Sequence, residues 1–483
     1  MGSKSKDKIR VSFKNSGAAE DVTGSCTVIT WGKPQRTIMV DCGLSQGGQS
    51  LLKEYQANNK KFSVKESTVE YIFVTHAHAD HQGLIPLMFK RGCEGKVVVP
   101  RKSKDIIREL QLDSAKIMER DALDLSKRTG KNYPPIYAKH DVDKAIEHTQ
   151  EYDFEKKIKL DDELSFEFIP AGHTLGSAQI ILYIKNGGST KKLAFTGDLG
   201  NINTPKLYVN DFTPIQNANL LVGECTYANK ERSIKAKDRK KDEEKIKAVI
   251  QDIIDNGKGS VLFPVFSFMR SQQILTIIYD LFKDDPNFNI PVIMASPLTS
   301  KINKIFSEQL EGEELRKWEE VLSWDKLTVT SEFEKLEGHM KQKISSIYLL
   351  SSGMLTAGFS IYAAEQLLPS AYNKILFCGY SVEGTLAWKI KQKKTKTVTI
   401  NGKAIPSRCG VVNLHSFSSH MQREELMNYY SGGMGTGTYC KIALNHGNFK
   451  DKCEFGKELQ EEISKRNRTD KVIIVNKSTE ILL

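Results

Sequence analysis

Residues 71–81 read YIFVTHAHADH: an apolar run, Tyr71–Val74, leads into Thr75 and then places His76, His78, Asp80 and His81 within six positions. A strand that ends in a tight loop can point His76 and His78 to one side and Asp80 and His81 to the other. Imidazole nitrogen and carboxylate oxygen are ligands that zinc accepts, and a site without thiolates that keeps an open position suits catalysis. One tetrahedral zinc cannot use all four residues and keep that position. A second metal and further ligands are therefore expected downstream.

Three later segments repeat the pattern of a strand-like run followed by a polar side chain in a loop. FEFIPAGHTLGS ends its run near His173, KLAFTGDLG near Asp198, and KIALNHGN near His446. Each alone would fit a capping or core residue. All three stand at similar strand ends, where irregular backbone positions polar groups, so they read as one convergent site.

The rest of the composition narrows the class. In 483 residues, 27% are charged and 39% hydrophobic, which suits a folded protein and argues against wholesale disorder. No apolar run is long enough for a membrane-spanning helix. The basic start, MGSKSKDKIRVSF, lacks the apolar core of a signal peptide, so a soluble, cytoplasmic protein with no membrane partner is expected. Eight cysteines without a CxxC pair fit neither a thiolate zinc site nor a disulfide framework, and are expected to be reduced and mostly buried. The net charge of +11 is compatible with a polyanionic partner without requiring one.

Outward from the histidine cluster the texture is strand-dominated, with runs at Cys26–Trp31, Thr37–Val40, Lys96–Val99, Gln179–Ile184 and Leu193–Thr196 and a helical stretch from about Ser103 to Lys127. After about Asn229 strands and helices alternate: Ser260–Val265, Val292–Ala295, Ile347–Ser351 and Ile375–Cys378, with helical patterns between them. That alternation marks a parallel sheet with crossover helices. Near Lys391 strands and turns return, in VTINGKAI, VVNL, KIAL and KVIIV. The expected organisation is a host domain over 1–228, an inserted α/β domain over 229–396, and a return segment over 397–483.

With its isolated His, Asp and His loops, HxHxDH resembles the metallo-β-lactamase fold, a four-layer αββα sandwich that binds two metals along one edge. The upstream VDCGL, with Asp41, is similar to that superfamily's first motif. The resemblance implies one zinc on His76, His78 and His173 and another on Asp80, His81 and His446. It also implies that Asp198 bridges them, that Asp80 is catalytic as well as a ligand, and that Asp41 gives structural support. GECTYANKER (Gly223–Arg232), PVFSFMRSQQIL (Pro264–Leu275), ASPLTSKI (Ala295–Ile302), SSGMLTAG (Ser351–Gly358) and CGYSVEGTLA (Cys378–Ala387) are similar to segments of the β-CASP branch. That branch comprises nucleic-acid nucleases with an α/β domain inserted into the metallo-β-lactamase host. The last segment is especially similar to the pre-mRNA 3′-end endonuclease and its bacterial and archaeal relatives.

The same resemblance makes Glu224 and His420 of HSFSSH a catalytic pair. A carboxylate that fixes the tautomer and raises the pKa of an imidazole suits a general acid. A histidine at the place of His446 is typical of the RNA-acting members, where the DNA cross-link-repair nucleases carry a valine. Single-stranded RNA is therefore the expected substrate, cut endonucleolytically with 5′-exonuclease activity as a companion mode, leaving 5′-phosphate and 3′-hydroxyl ends. A DNA nuclease and a non-catalytic RNA-binding scaffold are the alternatives. Ser267, Arg270, Ser351, Ser352, Lys391 and Lys393 are the candidate RNA contacts, the two lysines within the basic run Lys389–Lys403. Cys225, Met269 and Asn448 depart from the family's usual Ser, Gly and acid. The chain ends at Leu483, soon after its last strand, which suits a compact member acting alone or as a homodimer.

Overall fold

A computed structural model describes residues 8–47, 50–202, 207–231, 238–379, 381–392 and 396–483. The chain divides into Met1–Ser233 with Ser419–Leu483, and a unit between them in sequence, Ile234–Ser418.

The strand Ala178–Asn186, AQIILYIKN, shows how the first unit is layered. Ile180, Leu182 and Ile184 enter one core, while Ile181 enters another with Tyr183 packed against it. A strand apolar on both faces must be covered on both. The inner core lies between two seven-stranded sheets, joining Val11, Ile29, Val40, Phe73 and Val98 of one to Phe166, Leu193, Val222 and Ala443 of the other. The outer core packs the second sheet against the helices Arg423–Tyr430 and Phe449–Lys465 through Leu426, Tyr429, Phe455 and Leu459. Helices Ile85–Lys90, Lys104–Thr129 and Lys139–Glu147 lie in the connections between the first sheet's strands Val69–Phe73, Lys96–Pro100 and Thr149–Tyr152. This is the expected αββα sandwich. The helix expected over Ser103–Lys127 spans Lys104–Thr129 and stops at Gly130, whose φ of 68° is left-handed.

The first sheet runs Glu480–Leu482, Arg10–Ser12, Thr27–Trp31, Arg36–Val40, Val69–Phe73, Lys96–Pro100, Thr149–Tyr152. In the second, Lys441–Leu444, Leu220–Gly223 and Ser189–Phe195 lie side by side and parallel, with Phe195 opposite Val222 and Gly223 opposite Leu444. Parallel neighbours finish at the same edge, so the residues just beyond them are brought together.

The second unit is a six-stranded parallel sheet, in the order Leu327–Thr330, Val292–Ala295, Ile347–Leu350, Val261–Pro264, Lys374–Phe377, Gly410–Asn413. Its last strand corrects the sequence reading. VVNL has host-like texture, but Gly410–Asn413 pairs with Lys374–Phe377, and the Thr397–Ile400/Lys403–Pro406 hairpin buries Val398 and Ile400 in this unit's core. Beyond the strand, Asp242 accepts the Ser416 amide (2.9 Å) and hydroxyl (2.8 Å), and Arg239 lies 3.7 Å over the Phe417 ring. The second unit therefore runs to Ser418, and the basic run Lys389–Lys403 lies inside it rather than at a return to the host.

Met269 sits at φ 67°, a region that favours glycine, the residue usual there in the resembling family. No helix among the described residues is long and apolar enough to cross a membrane. All eight cysteines are free and six are buried.

Candidate metal centre

The candidate ligands stand just past strand ends on one edge of the first unit. Asp41 follows Arg36–Val40, and His76 and His78 follow Val69–Phe73, with His81 in the short helix Ala79–Gln82. From the second sheet, His173 follows Leu164–Pro170, Asp198 follows Ser189–Phe195, Glu224 follows Leu220–Gly223 and His446 follows Lys441–Leu444. Close approach of these loops depends on glycine: a Cβ on Gly43 of VDCGL would stand 1.7 Å from the Asp80 carbonyl oxygen. Asp41 and His446 hold left-handed φ values of 59° and 46°, the kind of strain that clusters at functional sites.

Two groups form. His76 Nε2 is 3.0 Å from His78 Nδ1, which is 3.3 Å from His173 Nε2. Asp80, His81 and His446 form the other, with His81 Nε2 3.1 Å from His446 Nε2 and His446 Nε2 3.7 Å from Asp80 Oδ2. Asp198 lies between them and divides its oxygens. Oδ2 is 3.5 Å from His76 Nε2 and 3.7 Å from His173 Nε2, while Oδ1 is 3.3 Å from His81 Nε2 and 3.4 Å from His446 Nδ1.

Electrostatics separates the groups as well. His76 and His173 are held well below the ordinary histidine range and His78 is pushed down to about 4, with burial the main cause in all three. Burial also opposes charge on His81, but Asp198 and Asp41 outweigh it and raise that histidine well above the ordinary range. Burial opposes ionisation of Asp198 too, yet His446, His81 and His420 keep its pKa well below the usual carboxylate value.

These residues fit a metal pair. Two ligand nitrogens of one tetrahedral zinc stand about 3.3–3.4 Å apart, close to the spacings in the first group. His173 Nδ1 is buried without a hydrogen-bond partner, and Asp198 Oδ1 faces His81 and His446 at 3.3 and 3.4 Å without a well-directed hydrogen bond. A cation would give that oxygen a close partner.

Around Asp41, the expected support, lie groups that escape a sequence reading: Ser25, Thr75, Thr226 and Tyr227. Asp41 Oδ2 accepts from His81 Nδ1 at 2.7 Å and from the Ser25 hydroxyl at 3.1 Å, while Oδ1 accepts the Thr75 amide at 2.9 Å. Thr226 Oγ1 is 3.0 Å from His446 Nδ1, and the Tyr227 ring meets the His420 ring edge-on at 5.2 Å. Thr75 and Thr226 adjoin the motifs, which is their only signal in the sequence.

His420 Nδ1 is 3.2 Å from Glu224 Oε1, and its Nε2 is 3.8 Å from Asp198 Oδ2. Glu224 is fixed in turn by the Leu199 amide at 2.5 Å and the Thr226 amide at 3.2 Å. Burial opposes charge on His420, but Glu224 and Asp198 outweigh it and hold its pKa at about 10.

The candidate RNA contacts belong to the second unit, near the carboxyl ends of its strands. Ser351 donates to Ser296 Oγ at 2.8 Å, and Ser352 Oγ accepts the Thr356 amide at 3.0 Å. Lys391 Nζ donates to the Gly379 carbonyl at 2.7 Å, Arg270 donates to the Phe417 carbonyl, and Ser267 is buried. Lys393 lies outside the described residues, as do Arg232 and Tyr380 of the family-like segments.

The sequence profile of the metallo-beta-lactamase superfamily matches residues 19–223, and that of the Beta-Casp domain matches residues 271–390. The chain is 30% identical over 435 residues to the transcription termination factor FttA of Methanocaldococcus jannaschii, covering 87% of this chain and 64% of that relative. It is 26% identical over 450 residues to ribonuclease TTHA0252 of Thermus thermophilus, covering 92% of this chain and 94% of the relative. Against endoribonuclease ysh1 of Schizosaccharomyces pombe the figures are 28% over 418 residues, 85% and 51%. The chain thus spans less than two thirds of the length of the archaeal factor.

Proposed function

From the premise that this chain belongs to the metallo-β-lactamase superfamily and carries its Beta-Casp domain, we propose that it is a two-zinc ribonuclease hydrolysing phosphodiester bonds of single-stranded RNA. It is a metal-dependent nuclease of RNA-processing type; two of its relatives are named ribonuclease and endoribonuclease. Zinc, the count of two and the single-stranded substrate are the further content of the proposal. The observation that carries it is the division of Asp198, one oxygen toward each ligand group. His76, His78 and His173 would hold one ion, Asp80, His81 and His446 the other, and Asp198 both.

Bound there, the pair would lower the pKa of water and stabilise charge developing on the phosphoryl group. The leaving 3′-oxygen still needs a proton, because a poor leaving alkoxide gains most from one in the transition state. We assign that role to His420, a reading supported by Glu224 at Nδ1 and by a pKa of about 10 in the metal-free protein, which keeps a proton on Nε2 at neutral pH. Cations at the ligand groups would draw that value down toward the working range of a general acid. Products are then 5′-phosphate and 3′-hydroxyl ends, since water is the nucleophile.

The test is single-stranded RNA labelled separately at each end, with 5′-hydroxyl or 5′-phosphate, incubated with zinc-loaded protein and with single-stranded DNA in parallel. Internal cuts leaving 5′-phosphates on RNA support the reading. Cyclic-phosphate ends would refute the water mechanism, and cleavage of DNA alone would move the chain to the DNA nucleases.

A further inference from the structure

We propose that Lys452, which takes no part in the chemistry above, is a positioning residue for His446 and so sets the affinity of the Asp80–His81–His446 half for its metal. The proposal rests on the two-metal reading.

Lys452 lies in the helix Phe449–Lys465 and has no exposed surface at 0%. Its ammonium donates to the Ala19 carbonyl at 2.6 Å and stands 5.7 Å from the Phe449 ring centroid, with no carboxylate of the described residues paired to it. Burial pushes its pKa down to about 8. Taking an ammonium out of water is costly, and an apolar side chain of the same length would fill the space without that cost. The contact its charge makes in return is therefore the feature to explain.

What it holds is the short 3₁₀ turn Gly17–Ala19. That turn is the seat of the ligand loop: the Ala18 carbonyl accepts the His446 amide at 2.8 Å, and the Asp21 carbonyl just beyond accepts the Gly447 amide at 2.9 Å. The loop has little freedom to shift elsewhere. His446 carries a left-handed φ of 46°, and a Cβ on Gly447 would lie 2.6 Å from the Cys225 carbonyl oxygen. Lys452 therefore ties the turn and the loop to the same helix, six residues after His446 in sequence. The groups His76, His78 and His173 make no contact with this turn among the described hydrogen bonds.

The test is zinc binding by Lys452→Met, titrated in competition with a chelating dye, alongside Tm of the metal-free protein. We expect one of two zincs to weaken by about 10- to 100-fold, as when the partners that orient a metal ligand are lost, with Tm unchanged or raised. The loss should persist in His173→Ala protein and disappear in His446→Ala protein, because the effect runs through His446. Two zincs bound as in wild type, or both weakened together with a lowered Tm, would overturn the inference while leaving the two-metal reading intact. A wild-type protein that takes fewer than two zincs overturns that reading and this inference together. If Lys452→Met does not fold, Lys452→Leu, which also removes the donor to Ala19, is read in the same way.

Discussion

The two groups of candidate ligands meet at Asp198 and at the Thr75 hydroxyl, 3.1 Å from His76 Nδ1 and 3.3 Å from His81 Nδ1, but differ in charge. His76, His78 and His173 are three buried imidazoles whose pKa values burial depresses, so at neutral pH they are already in the form that binds a metal. Asp80, His81 and His446 include a carboxylate, and His81 is held charged by Asp198 and Asp41. A metal entering the second group would have to displace a proton; one entering the first would not. On the two-metal proposal, one edge of the sandwich would hold two sites of different character, because the carboxylates are distributed unequally.

The contrast can be erased, bypassed or shifted, with effects of decreasing size. Asp198→Ala removes what both halves share, so both metals should be lost to elemental analysis and RNA cleavage should fall on the order of 10⁴-fold. A single tight metal retained unchanged in that variant would break the comparison. His420→Ala touches neither half as a ligand: metal content and RNA affinity should stay, and the rate should drop by roughly 10²–10⁴, the usual general-acid contribution. An undiminished single-turnover rate would remove the acid from the mechanism.

Asp41→Asn acts most directly on the second half, through its contact with His81. It keeps the shape but gives up the charge that His81 Nδ1 faces at 2.7 Å, so zinc at the second half should weaken by about 10- to 100-fold while the first holds. Equal weakening at both would show that Asp41 supports the whole edge. The smallest effects are in metal-free stability, where the slopes have opposite signs. His78, neutral in the fold down to about 4 but charged in the unfolded chain below 6.5, subtracts stability as pH falls through that range. His420, raised from 6.5 to about 10, adds stability that is complete below 6.5 and lost as pH rises through 10. In a plot of Tm against pH, His78→Gln should flatten the acid limb and His420→Gln the alkaline limb.

Asp198 shows where sequence reading stops. KLAFTGDLG identifies an aspartate in a glycine loop after a strand, which is a common arrangement. That its oxygens face different histidine groups follows from the parallel pairing of Ser189–Phe195 with Leu220–Gly223 and of that strand with Lys441–Leu444. Nothing local encodes that pairing. Gly410–Asn413 makes the same point for the fold: its four residues have the apolar character of either sheet, and only pairing with Lys374–Phe377 assigns them to the second unit.

By itself the sequence determined what is short-range. Three histidines and an aspartate within six positions announce a metal site, because ligand chemistry and spacing are both local. Two-residue and strand–helix periodicities announce a strand-rich host with an α/β insertion, because each element's exposure is written in its own residues. The tertiary structure decided the relations between distant residues: His420 against Glu224 across 196 positions, the support of His81 by Asp41 across 40, and the tie from Lys452 to Ala19 across 433. Such contacts depend on which strand ends finish together and which turns pack beneath them. Those are properties of the assembled sheets, so no single segment carries them.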